Sequence, residues 1–170
     1  AIEIPVEHVD TWTGVADELS DCVEFLTGDR WEISFRHGEK RLIQKKPRKR
    51  RIRFRAPVGS SVCLFSGGLD SFIGAVDWLT ENSNERLLLV GHYDRHVSGP
   101  AVDQRSLRDI CRQKYGNRFE LSQTQVGLSS GSLDTNFRSR SLLFVALGCY
   151  FAEILGEGTP VLVPENGPIA

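Results

Sequence analysis

Three short runs in this sequence, Val62-Cys63-Leu64-Phe65, Leu87-Leu88-Leu89-Val90 and Val161-Leu162-Val163, are almost wholly apolar. A strand with one face in water alternates apolar and polar residues, whereas an unbroken apolar run is what a strand covered on both faces requires. Phe119-Glu120-Leu121 through Val126 is a weaker fourth candidate. Between these runs, residues 72–80, 102–115 and 139–155 have helical character. Parallel strands need crossovers, which helices supply, so the alternation predicts an α/β fold built on a doubly wound parallel sheet. Ligands of such sheets bind at the carboxyl ends of the strands.

Residues 1–57 read differently, as a small α+β appendage. Trp12, Val15, Ala16, Leu19, Cys22, Val23 and Leu26 recur at helical spacing between a cap at Asp10 or Thr11 and a stop at Gly28, which predicts one amphipathic helix. Trp31-Glu32-Ile33-Ser34-Phe35 alternates as a half-buried strand does, and His37-Gly38-Glu39 offers a hairpin turn into Arg41-Leu42-Ile43. Lys45-Lys46-Pro47-Arg48-Lys49-Arg50-Arg51 follows and grades into Ile52-Arg53-Phe54-Arg55. Clustered Lys and Arg release counterions from nucleic-acid phosphates, but alternating charged and apolar residues equally suit a solvated edge strand. Both readings of residues 45–55 stand, in a chain whose net charge is −1.

A length of 170 residues holds one ordinary domain with a core and little more. With 40% hydrophobic and 25% charged residues, the composition is that of a soluble globular protein. There is no apolar stretch of membrane-spanning length and no secretion-signal layout at the start, so no membrane partner and a cytoplasmic location are expected. Cys22, Cys63, Cys111 and Cys149 lie far apart in apolar segments, which predicts buried thiols and no cysteine-based zinc site. The absence of Met, and an end a few residues beyond an apolar run, suggest a piece of a longer protein, with residues 58–170 a domain truncated at its C-terminal end.

Chemistry is concentrated in Ser66-Gly67-Gly68-Leu69-Asp70-Ser71, between the first apolar run and a helix. Two glycines let the backbone turn tightly and approach a ligand closely, and the helix that follows directs N–H groups and its positive dipole end at an anion. Ser66 and Ser71 add hydroxyl donors. Asp70 would repel a phosphate unless a divalent cation lay between them, so a Mg²⁺ bridge is expected. A glycine turn capped by serine and aspartate is the alternative, but strand, loop and helix occur here in the order a phosphate loop requires. The Gly-Lys-Ser/Thr ending of a Walker loop is absent.

A strand followed by SGGxDS resembles the PP-loop of the N-type ATP pyrophosphatases, a group that cleaves ATP between its α and β phosphates. Leu69 to Ala75, Gly91-His92-Tyr93-Asp94, Arg138-Ser139-Arg140-Ser141-Leu142-Leu143-Phe144 and Val163-Pro164-Glu165-Asn166-Gly167 are most similar to the 7-cyano-7-deazaguanine synthase-like proteins, in particular a divergent branch from bacterial anti-phage defence operons. The similarity runs from about residue 58 to the end. It implies a sheet of the adenine nucleotide alpha hydrolase-like (HUP) type and ATP with Mg²⁺ as cofactors. It also implies adenylation of a small-molecule or protein acyl group for attack by a nitrogen nucleophile, with defence-operon proteins as partners. The biosynthetic enzyme's zinc-binding cysteine cluster and its aspartate-tyrosine substrate segment are missing here.

On this resemblance Ser66 to Ser71 hold the phosphates, and backbone groups near Leu64, Phe65 and Val90 hold the adenine. Asp70, Arg140 and Arg138 are then catalytic, the arginines offsetting charge on the α-phosphate and the departing pyrophosphate. Two arginines opposing a helix dipole gain nothing locally, although a solvated helix start would also accommodate them. His92, Tyr93 and Asp94, after the second apolar run, and Glu165 and Asn166, after the last, are candidates to contact substrate. A polar loop and an Asn-Gly turn are the plainer accounts of these. A tRNA-modifying pyrophosphatase using the basic run, and a non-catalytic ATP-binding module of a defence complex, are the competing functions.

Overall fold

The computed structural model describes residues 1–38, 61–94, 99–126 and 140–164, which fall into two compact units, the first within residues 1–54 and the second from residue 55 onward. In the first unit, β1 (Ile2–Val6) pairs in parallel with β2 (Ile33–His37), Ile2 opposite Ile33 and Val6 opposite His37. Between them run α1 (Val9–Thr13) and α2 (Ala16–Thr27). The periodicity over residues 10–28 predicted one helix, but the chain forms two. Gly14 keeps helical angles, and Val15 leaves them at φ −123° and ψ 16°. Glycine inside a helix costs about 1 kcal/mol relative to alanine, and a β-branched valine next to it adds no helix propensity. The break lets Trp12 pack on Phe35 of β2, ring centroids 5.7 Å apart. Gly28 stops α2 as expected, left-handed at φ 77°, with its N–H on Glu24 O.

β2 pairs with the N-terminal strand β1, a pairing that the expectation of a hairpin after β2 did not include, and Gly38 N–H bonds to Val6 O at 3.1 Å. Residues 41–43 of that hairpin, and the whole basic run 45–55, lie outside the described residues. None of residues 1–38 is buried, so the described part of this unit has only a shallow core.

The second unit is α/β. Its parallel sheet of four strands, ordered β5-β4-β3-β6, contains β3 (Ser61–Leu64), β4 (Leu87–Tyr93), β5 (Phe119–Gln125) and β6 (Val161–Leu162). β3 and β4 are buried along almost their whole length, which accounts for their unbroken apolar runs. Strand alternation divides their side chains between two layers. Cys63, Phe65, Leu87, Leu89 and Phe119 form one core with Ala75 and Leu79 of α3 (Leu69–Glu81) and with Cys111 and Tyr115 of α4 (Pro100–Tyr115). On the other face α5 (Arg140–Leu155) crosses so closely that a Cβ on Gly148 would stand 2.7 Å from Leu64 Cδ2 and 3.0 Å from Val161 Cγ1. Helices thus cover both faces. α5 is apolar all round, and its outward side leaves Val145, Tyr150 and Ile154 exposed. No helix among the described residues is long and apolar enough to cross a membrane.

Two of the four cysteines differ from the expectation of burial. Cys63 and Cys111 are buried, whereas Cys22 on α2 and Cys149 on α5 are exposed, each on the outward side of its helix. Burial pushes the Cys63 thiol from its ordinary 9.0 up to about 12, and raises Cys111 as well. An aromatic disulfide reagent at pH 8 is therefore expected to titrate Cys22 and Cys149 in the folded protein and all four thiols in denaturant. The folded chain holds the Cys63 proton more tightly than the unfolded chain. This contribution to stability is complete below pH 9.0 and is lost as pH rises towards about 12, which a series of thermal melts across that range would show.

Candidate functional site

From β3 the chain passes to β4 and β5 on one side and then returns to β6 on the other, so the order reverses beside β3. The loop leaving β3 consequently sits at the topological switch point, where neighbouring connections diverge and leave a crevice at the carboxyl edge of the sheet. That loop is the 66–71 segment. Buried Phe65 anchors its entry, with its N–H on Val90 O at 2.8 Å, and α3 begins at its exit.

Three short bonds hold the loop's shape. Gly68 N–H donates to Ser66 Oγ at 3.2 Å, Ser71 Oγ donates to Gly68 O at 2.9 Å, and the two serine hydroxyls lie 3.1 Å apart. Ser71 is buried, whereas Ser66, Gly68, Leu69 and Asp70 are exposed, Leu69 to 70%. Gly67 takes φ 91°, a conformation in which a β-carbon is strained, while Gly68 stays extended at φ −84° and ψ 169° as the N-cap of α3. Gly68 has no side chain to cap the helix, and the first N–H groups of any α-helix lack an acceptor within it. The result is an exposed, glycine-opened turn at a helix N-terminus, suited to an anion. The loop hydroxyls are thus partly committed to the turn itself.

The adenine candidates lie at the ends of β3 and β4. Leu64, Phe65 and Val90 are buried, and the Phe65 N–H and Val90 carbonyl are bonded to each other. The Phe65 N–H is thus taken up by the sheet.

His92 is turned inward rather than towards the rim. It is 4% exposed, stacks edge-on against Phe144 of α5 at 5.5 Å, and its Nε2 lies 2.9 Å from Val126 O. A carbonyl only accepts, so Nε2 carries the hydrogen; Nδ1 is buried and has no partner among the described residues. In this conformation His92 braces β4 against α5. Tyr93 and Asp94, which end and follow β4, are partly exposed.

Arg140 begins α5. Phe144 packs by His92 near the carboxyl end of β4, and Arg140 lies one turn earlier, roughly 6 Å further along the axis. It therefore stands towards the same edge of the sheet as the 66–71 loop. Arg138, Glu165 and Asn166 lie outside the described residues. Among the described residues there is no group of three or more His, Cys, Asp or Glu side chains that could hold a metal ion. An open cavity of about 580 Å³ in the first unit is lined by residues such as Asp17, Asp21, Glu24 and Arg30, and by none of the site candidates.

One residue here carried no signal in the sequence. Gln104 of α4 is fully buried beneath the loop, and its Nε2 donates to both Ser66 O and His92 O at 3.1 Å. Its Oε1 accepts from Gln123 Nε2 at 2.9 Å. A lone glutamine in a polar helix reads as solvated surface, and only its enclosure by three strand ends distinguishes it. No family model, curated protein or solved structure matches the chain.

Proposed function

We propose that this chain is the ATP-binding part of an N-type ATP pyrophosphatase, similar to the 7-cyano-7-deazaguanine synthase-like proteins, on a doubly wound sheet of the adenine nucleotide alpha hydrolase-like (HUP) type. The observation that carries the reading is the place and shape of Ser66-Gly67-Gly68-Leu69-Asp70-Ser71: an exposed glycine turn, ending on a helix N-terminus, at the switch point of a parallel sheet. A helix end of this kind favours phosphate, and the switch point is where such sheets take nucleotides.

In this reading the β and γ phosphates of ATP rest on the loop, and the base lies along the ends of β3 and β4. An oxygen of a carboxylate or amide substrate attacks the α-phosphorus. The bond from that phosphorus to the oxygen bridging α and β breaks, pyrophosphate departs, and a nitrogen nucleophile then displaces AMP. Arg140, joined by Arg138, offsets negative charge growing on the α-phosphate and the leaving group. Asp70 fits a Mg²⁺ role because it is an exposed carboxylate in the first turn of α3, beside the anion site. Mg²⁺ bound largely through phosphates and water needs only one or two protein carboxylates, and when bound it neutralises phosphate charge.

The test is to incubate the protein with Mg²⁺ and α-labelled ATP, with and without 7-carboxy-7-deazaguanine and ammonia, and to resolve AMP from ADP. AMP together with pyrophosphate is the expected product pair, and a dependence of its rate on the deazaguanine would identify the acyl substrate. ADP as the only product, or retention of ATP without cleavage, would overturn the pyrophosphatase reading; the latter would leave a nucleotide-binding module.

A further inference from the structure

The phosphate loop is shaped from outside itself. Ser66 O lies beyond the last ladder positions of β3, where among the described residues neither β4 nor β6 is paired with it, and a partly buried carbonyl takes its donor from elsewhere. Gln104 supplies one. The same Nε2 serves His92 O, so a single amide group ties the chain leaving β3 to the chain leaving β4. The orientation of the amide is determined: turned over, its oxygen would face two carbonyl oxygens and its nitrogen would face the Gln123 donor. Gln123 Nε2 also donates to Ala101 O, at 3.0 Å, which draws the first turn of α4 into the same network.

Two glycines testify to how closely this side chain fits. A Cβ on Gly91 would lie 2.5 Å from Gln104 Oε1 and 2.8 Å from its Cδ, and one on Gly67 would lie 3.1 Å from its Cγ. Gly67 belongs to the loop and Gly91 to β4, and each leaves its side-chain volume to Gln104. An apolar residue could fill that volume, but it would leave the buried His92 carbonyl and the partly buried Ser66 carbonyl without this donor.

We propose that Gln104 is a positioning residue for the phosphate loop, clamping Ser66 and His92 so that the N–H groups at the loop and the start of α3 are held in one direction before any anion arrives. The clamp is a statement about the ligand-free loop; its consequence for ATP rests on the function proposed above. Gln104→Glu is nearly the same shape but, when ionised, has no hydrogen to donate, whereas its protonated form recovers one donor.

The experiment compares Gln104→Glu with the unsubstituted protein by two readouts, in samples first shown to be folded by circular dichroism. Amide hydrogen-exchange protection factors at Gly67, Gly68 and Leu69, measured without ligand at pH 8, are expected to fall about tenfold or more in the variant. The dissociation constant for ATP with Mg²⁺ is expected to weaken by about tenfold at pH 8 and to recover most of that loss near pH 5.5, a reversal that a simple loss of packing would not produce. Unchanged protection at 67–69 overturns the proposal. Where Gln104→Glu does not fold, Gln123→Leu decides by the same protection measurement, since it removes the donor that orients the amide from a less buried position. If the unsubstituted protein binds no ATP while protection still depends on Gln104, the clamp stands and the nucleotide reading falls.

Discussion

Gly67→Ala is expected to weaken binding of ATP with Mg²⁺ by roughly 10- to 100-fold while leaving the core of the second unit folded. Gly67 is held at φ 91°, and a β-carbon there would stand 3.1 Å from Gln104 Cγ and 3.3 Å from Gln104 N. Holding a residue with a side chain in such a conformation costs about 1–3 kcal/mol, and each 1.4 kcal/mol is about tenfold in affinity. In the substituted free protein the turn escapes most of that strain by leaving the path that Gln104 holds, which the partly exposed loop can do without unfolding the core. Binding must restore the original path, so the cost appears mainly in the dissociation constant and less in the melting temperature. Gly68 is the internal control. Its φ of −84° suits any residue, and an added Cβ would meet only Ser66 Oγ at 3.4 Å. Gly68→Ala should therefore change affinity by less than about threefold, its remaining effect being a less favourable N-cap. Titration calorimetry on both variants, with thermal melts alongside, checks the pair; equal effects at the two glycines would contradict this account of the loop.

The same contrast shows which features can be read along a chain and which arise only between segments. β3 and β4 were legible because a strand covered on both faces admits almost no polar residue, and Val62 to Phe65 and Leu87 to Val90 satisfy that requirement alone. β5 was fainter for a physical reason. It is an edge strand with only its first residue fully buried, so its sequence needs no apolar run. The loop was legible because strand, glycines and helix follow one another directly. β1 was not: Ile2-Glu3-Ile4-Pro5-Val6 is too short to announce itself, and its pairing with β2 depends on residues 31 positions away. His92 read as a rim residue because it follows an apolar run, but alternation along β4 turns it beneath α5. Gln104 and the exposure of Cys22 and Cys149 are likewise set by what lies across from them, which composition and local periodicity do not encode.

Asp70→Asn should have opposite effects on two quantities that a purely structural aspartate would leave together. Asp70 is exposed in the first turn of α3, where a carboxylate favours the helix dipole by about 0.3–1 kcal/mol, so its neutralisation should lower the stability of the folded chain only slightly. Next to a phosphate site the same charge acts in two ways. It repels ATP when no cation is present, and it helps to hold Mg²⁺ when one is. Removing the charge while keeping the shape is therefore expected to strengthen binding of ATP in the presence of a chelator, by a few-fold, because a screened exposed pair contributes little. In the presence of Mg²⁺ the rate of pyrophosphate release should instead fall by about 100-fold or more, corresponding to roughly 2.7 kcal/mol of lost transition-state stabilisation. Raising Mg²⁺ should recover part of that rate if the defect lies in holding the cation. Release of AMP and pyrophosphate by Asp70→Asn at the unsubstituted rate and at low Mg²⁺ would remove the metal role from this residue. A fall in rate that no Mg²⁺ concentration relieves, with chelated ATP bound no better than before, would instead make Asp70 a part of the turn and nothing more.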